Sequence, residues 1–206
     1  MGERGIATGR RTQAGARLRA FLTNRRGMAA IEFALIAPIL LSLYFVTLEV
    51  AQGMETNKKV SRVGSMVADL VGQQGRMVYT RDLDPIMAIG EAILKPYMRS
   101  RVNIVITGID IDKDSRVKVR WSRKLENGVF GRDAAKGATT TVPDDLKIPD
   151  TFLLRVTAKL DYRPIIAWTA EQKTSLGLLG AFDNISMSES YNLRPRMSPE
   201  MDCADC

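Results

Sequence analysis

Two short stretches of the sequence contain residues whose types and spacing could do chemistry. In the first, Arg25 and Arg26 precede Gly27, and Glu32 lies five residues beyond that glycine, inside an apolar run. A carboxylate at membrane depth costs on the order of a few kcal/mol and is rarely there without a partner. If the chain were cut after Gly27, the new ammonium of Met28 would lie at i,i+4 spacing from Glu32, on its own helix or on a neighbour's. Such a cut would supply the charge that Glu32 needs, and an acid in a first helical turn also faces the positive end of the helix dipole.

The second stretch is the pair Cys203 and Cys206, the two cysteines of the sequence. A redox Cys-X-X-Cys motif begins a helix in a βαβ unit, whereas this pair follows Pro195 and Pro199. Outside the cytoplasm cysteine pairs are commonly oxidised, so a disulfide is the first interpretation. A tether to another subunit is the second interpretation, and metal binding or redox catalysis is the third.

Other residue types and motifs argue against a catalytic protein. The sequence has no His, which removes His-based acid–base catalysis, Ser-His-Asp triads and most zinc sites. The acids of residues 110–114 lack the Gly and Glu that an EF-hand loop needs at its sixth and twelfth positions. Residues 131–137 differ from a phosphate loop because Lys and Gly are in reversed order. We expect no enzyme activity, no cofactor and no resident metal.

The positive charge is concentrated at the N-terminus. The formal net charge is +7, from 30 Lys and Arg against 23 Asp and Glu. Seven arginines and one glutamate lie in residues 1–27, so this leader carries +6 and the remainder about +1. The remainder has no basic stripe with interleaved aromatics, which argues against nucleic-acid binding. Arginines beside an apolar segment instead favour retention of the N-terminus in the cytoplasm.

A long apolar segment follows the leader directly. Residues 28–51 would form about 36 Å of helix, enough to cross a bilayer core of about 30 Å. A secretory signal peptide would need small residues after the run, whereas residues 48–53 include an acid. A mitochondrial presequence would be Ser-rich, whereas the leader has no Ser. A plain signal anchor is the third explanation that the pattern allows.

Helical periodicity continues beyond this segment. Apolar residues at helical spacing extend the first helix to about residue 74, and we interpret them as a packing stripe within the same chain: Val60, Val63, Val67, Leu70 and Val71. A second helix is predicted over residues 82–96, with Asp82 or Asp84 as its cap and Pro85 in its first turn.

The remaining sequence predicts an antiparallel sheet of about four strands, in the α+β class. The strand-like ranges are 102–109, 117–122, 152–162 and 184–191. Residues 112–115 would form a hairpin turn, 126–150 a long loop, and 164–179 a helix or an excursion. The predicted organisation is a basic leader over 1–27, a transmembrane helix over 28–51 and an extracytoplasmic head over 52–206.

The residues around Gly27 resemble a known family. Gly27, four residues, Glu32 and Phe33 resemble the prepilin-peptidase site of type IV pilin-like proteins, and residues 25–40, including Pro38, resemble the N-terminus of the TadE-like family. Residues 191–196 with the late cysteines also resemble TadE- and TadG-like proteins. The resemblance implies that Gly27 ends the leader, that Met28 begins the mature chain, and that Glu32 serves in docking and assembly.

By this resemblance the chain would be a pilin-like subunit, a minor pilin or pseudopilin, of the tight-adherence (Flp) pilus system. Its partners would be a prepilin peptidase, other pilin-like subunits, the pilus assembly platform and membrane lipid, with no nucleic acid. It would lie in a bacterial inner membrane with a periplasmic head, or in an extracellular pilus after assembly. The alternatives are an uncleaved, TadG-like membrane-anchored scaffold or assembly factor and, third, an extracytoplasmic thiol–disulfide enzyme.

Overall fold

The N-terminal apolar segment forms one long helix, α1, which comprises Met28–Gly72. The computed structural model describes residues 27–95, 99–164 and 185–206. The leader up to residue 26 and most of the helix or excursion predicted at 164–179 therefore lie outside the described residues. The chain divides into two compact units, residues 1–48 and residues 49–206, and we call the second one the head unit.

The first part of α1, over residues 28–48, exposes apolar side chains. Phe33 and Leu35, for example, are 70% and 68% exposed. Two hydroxyls bond to the helix itself, since Ser42 Oγ donates to the carbonyl of Pro38 and Thr47 Oγ1 to that of Leu43, each at 2.8 Å. Such bonds satisfy a hydroxyl where no water is available. By length and composition α1 is a candidate membrane-spanning helix, and we call its apolar first part, residues 28–48, the candidate span.

The second part of α1, within the head unit, carries the predicted packing stripe. Val60, Val63, Val67 and Val71 are all fully buried, and Leu70 is partly buried against the same core. Their spacing places them on one face of the helix. The interpretation of this stripe as packing within the chain is confirmed.

The second helix, α2, comprises Thr80–Ile93, and its start differs from the prediction. Its N-cap is Tyr79, whose amide donates to the Asp82 carboxylate at 3.0 Å. Asp82 is thus the third residue of α2 rather than its cap, and Pro85 is the sixth residue rather than part of the first turn. The assignment of the cap to Asp82 or Asp84 is wrong because the helix begins two residues earlier.

An antiparallel sheet of five strands forms the other layer of the head unit, which confirms the α+β class. Its strands run in the order β4-β3-β2-β5-β6. Their bounds are β2, Asn103–Ile111; β3, Val117–Glu126; β4, Val129–Gly131; β5, Thr151–Tyr162; and β6, Ile185–Leu193. A short 3₁₀ helix, Asp144–Leu146, precedes β5.

Two tight turns connect the first three strands of this sheet. The predicted hairpin at 112–115 is confirmed, because β2 and β3 pair antiparallel on either side of it. The second turn contains only Asn127 and Gly128, at φ 53° and 82°, and joins β3 to β4. Positive φ at both central residues defines the turn that favours Asn-Gly in hairpins. Strand β4 therefore lies where the sequence predicted only a loop.

A separate two-stranded parallel pair joins the two ends of the head unit's sequence. Strand β1, Met77–Val78, directly follows α1, and strand β7, Asp202–Cys203, lies near the end of the chain. The main core combines the buried faces of α1, α2 and the sheet. Met201, next to β7, is fully buried in it.

Candidate functional site

The predicted processing site lies at the first residue of α1. Gly27 directly precedes the helix, Met28 begins it, and both residues are exposed. A Cβ atom added to Gly27 would meet no described atom within 4 Å. A cut between the two residues would therefore leave all of α1 in the shortened chain.

Glu32 is the fifth residue of α1 and is exposed. It lies in the second turn, so its expected place in the first turn is wrong, and the helix dipole acts on it only weakly. One helical turn, about 6 Å of rise, separates it from Met28, so the i,i+4 relationship is retained. Within residues 27–95, 99–164 and 185–206, no side chain bonds to its carboxylate.

A second carboxylate, Glu49, lies where the apolar segment ends. It is only 3% exposed, and its Oε1 accepts a 2.5 Å hydrogen bond from the hydroxyl of Tyr162, the last residue of β5. Sequence reasoning used Glu49 only as an argument against signal-peptidase cleavage. The available signal was an acid bordered by apolar residues, with no basic residue three or four positions away.

The rest of α1 in the head unit is fastened to β6 and the segment after it. Ser61 Oγ and the hydroxyl of Tyr191 lie 2.7 Å apart. Gly64 lets the Tyr191 ring approach, since a Cβ atom there would lie 2.7 Å from the ring. Beyond β6, Arg196 pairs with Asp69 at 2.6 Å. The helix that follows the candidate span is thus part of the folded head unit.

Asp84, predicted as a helix cap, instead joins α2 to the sheet. Both of its carboxylate oxygens accept from the guanidinium of Arg123 on β3, at 2.8 and 2.7 Å. A bidentate pair of this kind fixes geometry as well as contributing energy. The hydrogen bond to Asp84 raises the pKa of Arg123.

The predicted pair Cys203 and Cys206 is disulfide-bonded in the structure, with its Cα atoms 5.6 Å apart. The loop between them contains Asp205, which reaches the start of α2. The side-chain hydroxyl and the amide of Thr80 both donate to the Asp205 carboxylate, each at 2.7 Å. These two hydrogen bonds hold the pKa of Asp205 below its usual value.

The residues before the disulfide are held against β3. The indole Nε1 of Trp121 donates to the carbonyl of Met201 at 2.8 Å. Arg120 pairs with Glu200 at 2.9 Å and with Asp110 at 2.6 Å. The hydrogen bond from Arg120 is the main reason that the pKa of Glu200 is lowered.

The acids that resembled a calcium loop are engaged by donors of their own hairpin. The Asp112 carboxylate accepts from the amides of Arg116 and Asp114, at 2.8 and 3.0 Å. The amide of Arg116 is the largest cause of the lowered pKa of Asp112. The Arg116 guanidinium also pairs with Asp112 and Asp114. This arrangement is typical of a turn whose side chains replace backbone hydrogen bonds.

The start of α1 can be compared with known families. The family model described as TadE-like protein matches residues 27–68. This segment is TadE-like. The TadE-like segment includes Gly27, Met28, Glu32 and Glu49, and the predicted resemblance is confirmed over this range. No curated protein and no solved structure gives a significant match.

The TadE-like segment coincides with most of α1 and ends before β1. Residues 191–196, whose pattern also suggested the family, lie outside the matched range. Together the TadE-like segment and the candidate span support the view that the chain is a membrane protein associated with the tight-adherence (Tad) pilus.

Proposed function

We propose that the chain is a membrane-anchored, pilin-like subunit of the tight-adherence pilus machine, cut by a prepilin peptidase after Gly27. The observation that carries this proposal is the TadE-like match beginning at Gly27, immediately before an exposed apolar helix. The exposed bond between Gly27 and Met28 would be available to a peptidase, and the cut would remove the basic leader.

The proposed topology has the leader in the cytoplasm and the head unit outside it. Seven arginines precede the apolar segment, and the positive-inside rule assigns that side to the cytoplasm. The first part of α1 would lie in the lipid of a bacterial inner membrane. The head unit would then be available to other pilin-like subunits and to the assembly platform.

Glu32 would act in subunit docking. Its carboxylate is exposed, and a new ammonium at Met28 would lie one helical turn away, on the same helix or on that of a neighbour. Charge pairing is strong in a low-dielectric environment, so it would align one apolar helix beside another.

The proposed role is structural rather than catalytic. The carboxylates of the head unit that could have formed a site are used in its structure: Asp84 pairs with Arg123, and Asp110 pairs with Arg120. Asp205 bonds to the start of α2. These contacts support an interaction protein over a catalyst that uses these carboxylates.

The docking role is tested with Glu32→Gln in cells that assemble the pilus. The variant is expected to insert and to be cut but to reduce assembled pili at least tenfold. Glu55→Gln is the matched control, because Glu55 is an exposed acid on the same helix that pairs with Lys59 at 2.9 Å. We expect the control to assemble normally. Normal assembly by Glu32→Gln would overturn the docking role.

A further inference from the structure

The disulfide between Cys203 and Cys206 borders a small basic cavity. Both cysteines are partly exposed, and the cavity beside them has a volume of about 130 Å³. Arg120, Arg132 and Lys136 line the same cavity, together with one acid, Asp202, which pairs with Arg120 at 3.5 Å. Cations beside a cysteine favour its thiolate, which is the species that takes part in thiol–disulfide exchange. The Asp205 carboxylate lies 3.7 Å from Cys203 Sγ and opposes this effect, so the disulfide exchanges readily only if the cations of the cavity outweigh it.

The loop closed by this disulfide holds the tail and α2 together. Asp205, inside the loop, receives two hydrogen bonds from Thr80 at the start of α2. The amide of Ala204 donates to the carbonyl of Val78 at 3.0 Å. Reduction of the disulfide would free the loop to rotate away from both partners, with a gain of conformational entropy.

Apart from this loop, the tail is held by a short strand pair and by contacts with β3, in which Trp121 donates to the Met201 carbonyl and Arg120 pairs with Glu200. Strand β7 contains two residues and, in the part of the chain that the structure describes, pairs with the two-residue strand β1 alone. A pair this short is marginal in water without additional support. Beneath it, Met201 is completely buried, so displacement of the tail would open the main core.

We propose that Cys203 and Cys206 form a thiol–disulfide exchange site that works as a redox latch on the C-terminal tail. In the closing step, the two thiols lose two protons and two electrons and form one S–S bond. The disulfide of an extracytoplasmic thiol–disulfide oxidoreductase accepts the two protons and two electrons and becomes a dithiol. In the opening step, a dithiol partner reduces the bond and is itself oxidised to a disulfide.

The latch makes closure of the head unit depend on export to an oxidising compartment. A reduced chain would have a frayed start of α2 and an open core below Met201. Oxidation would fix Asp205 on Thr80 and seal that core. This device does not depend on cleavage after Gly27.

Hydrogen exchange on the full chain in detergent tests the latch. The folded, oxidised protein is compared with the same protein reduced by a phosphine and then alkylated. The exchange rates of residues 76–82 and 200–206 are expected to rise about fivefold to tenfold. This rise corresponds to the stability that a helix loses when its cap is removed. Exchange in β2 is expected to stay unchanged. Equal exchange in both forms would overturn the proposal.

Two variants separate the latch from a general loss of stability. Cys203→Ser with Cys206→Ser should show fast exchange whether or not the phosphine is present. Asp205→Ala should keep the disulfide and speed exchange mainly at Thr80. If the double variant does not fold, the reduced wild type, which folds before reduction, still provides the decisive comparison. Wild-type protection in the double variant would contradict the proposal.

The role of the basic cavity has its own test. Lys136→Gln removes one cation beside the disulfide and should slow reduction by dithiothreitol severalfold. Lys113→Gln is the control, since Lys113 is an exposed cation in the β2–β3 turn. Equal reduction rates for Lys136→Gln and the wild type would show that the cavity does not promote exchange.

Discussion

Tyr162 donates a 2.5 Å hydrogen bond to Glu49, and both side chains are buried. Glu49 directly follows the apolar residues of the candidate span, and Tyr162 ends β5, an interior strand between β2 and β6. A carboxylate that would be costly near lipid is thus bonded within the head unit. The contact also fastens the first residue of that unit to its sheet.

Tyr162→Phe should therefore destabilise the head unit. A buried polar group that loses its hydrogen-bond partner costs about 1–3 kcal/mol, and we expect the free energy of unfolding to fall by about that amount. Urea unfolding in detergent, followed by tryptophan fluorescence, measures the change. Tyr44→Phe is the control, because Tyr44 is 58% exposed in the first part of α1. Equal stability of Tyr162→Phe and the wild type would contradict the account.

Two glycines of α1 should respond in opposite directions to replacement by alanine. A Cβ at Gly64 would lie 2.7 Å from the Tyr191 ring, whereas a Cβ at Gly53 would lie 4.0 Å from the nearest atom, in Tyr162. Gly64→Ala should cost about 1–3 kcal/mol through overpacking. Gly53→Ala should gain about 0.5–1 kcal/mol, because alanine favours a helix. Thermal unfolding of both variants tests this, and a stabilised Gly64→Ala would refute the close packing.

Acid should weaken the attachment of the tail. The pKa of Asp205 is lowered by the hydrogen bonds from Thr80, and that of Glu200 by the hydrogen bond from Arg120. The folded state therefore favours both charged forms. The contribution of the two carboxylates to the free energy of unfolding is present above their unfolded pKa values. It is lost as the pH falls through their lowered folded pKa values, below about pH 4.

The pH dependence is measured by unfolding between pH 7 and pH 3. Asp205→Asn combined with Glu200→Gln should be less stable than the wild type at pH 7 and should lose less stability on acidification. If the wild type and this double variant have parallel stability curves, the two carboxylates do not anchor the tail.

Periodicity made several elements of this fold predictable. The apolar run predicted the first part of α1. The valines at helical spacing predicted that the second part of α1 packs against the core. Alternation predicted β3 and β6, and the acidic stretch at 112–115 predicted the first hairpin. In each case the signal is local, because the pattern lies within one element.

The missed features depend on local turn chemistry or on contacts between distant residues. Asn127-Gly128 was a local hairpin signal within the predicted loop, and it forms the turn before β4. The pairing of β1 with β7 joins residues more than a hundred positions apart, through strands too short to show alternation. The contacts of Glu49 with Tyr162 and of Thr80 with Asp205 are also long-range. No single segment contains enough information to predict them.

Processing after Gly27 is the central claim, and the mass of the membrane-expressed chain tests it most directly. Gly27→Leu should block the cut and Gly75→Leu should not. Neither replacement should disturb the packing, because a Cβ at either glycine meets no described atom within 4 Å. The chain is expressed with and without a prepilin peptidase that cuts a reference prepilin. We predict a shortened chain that begins at Met28 only when the peptidase is present. Persistence of the full-length chain beside the active peptidase would contradict the account.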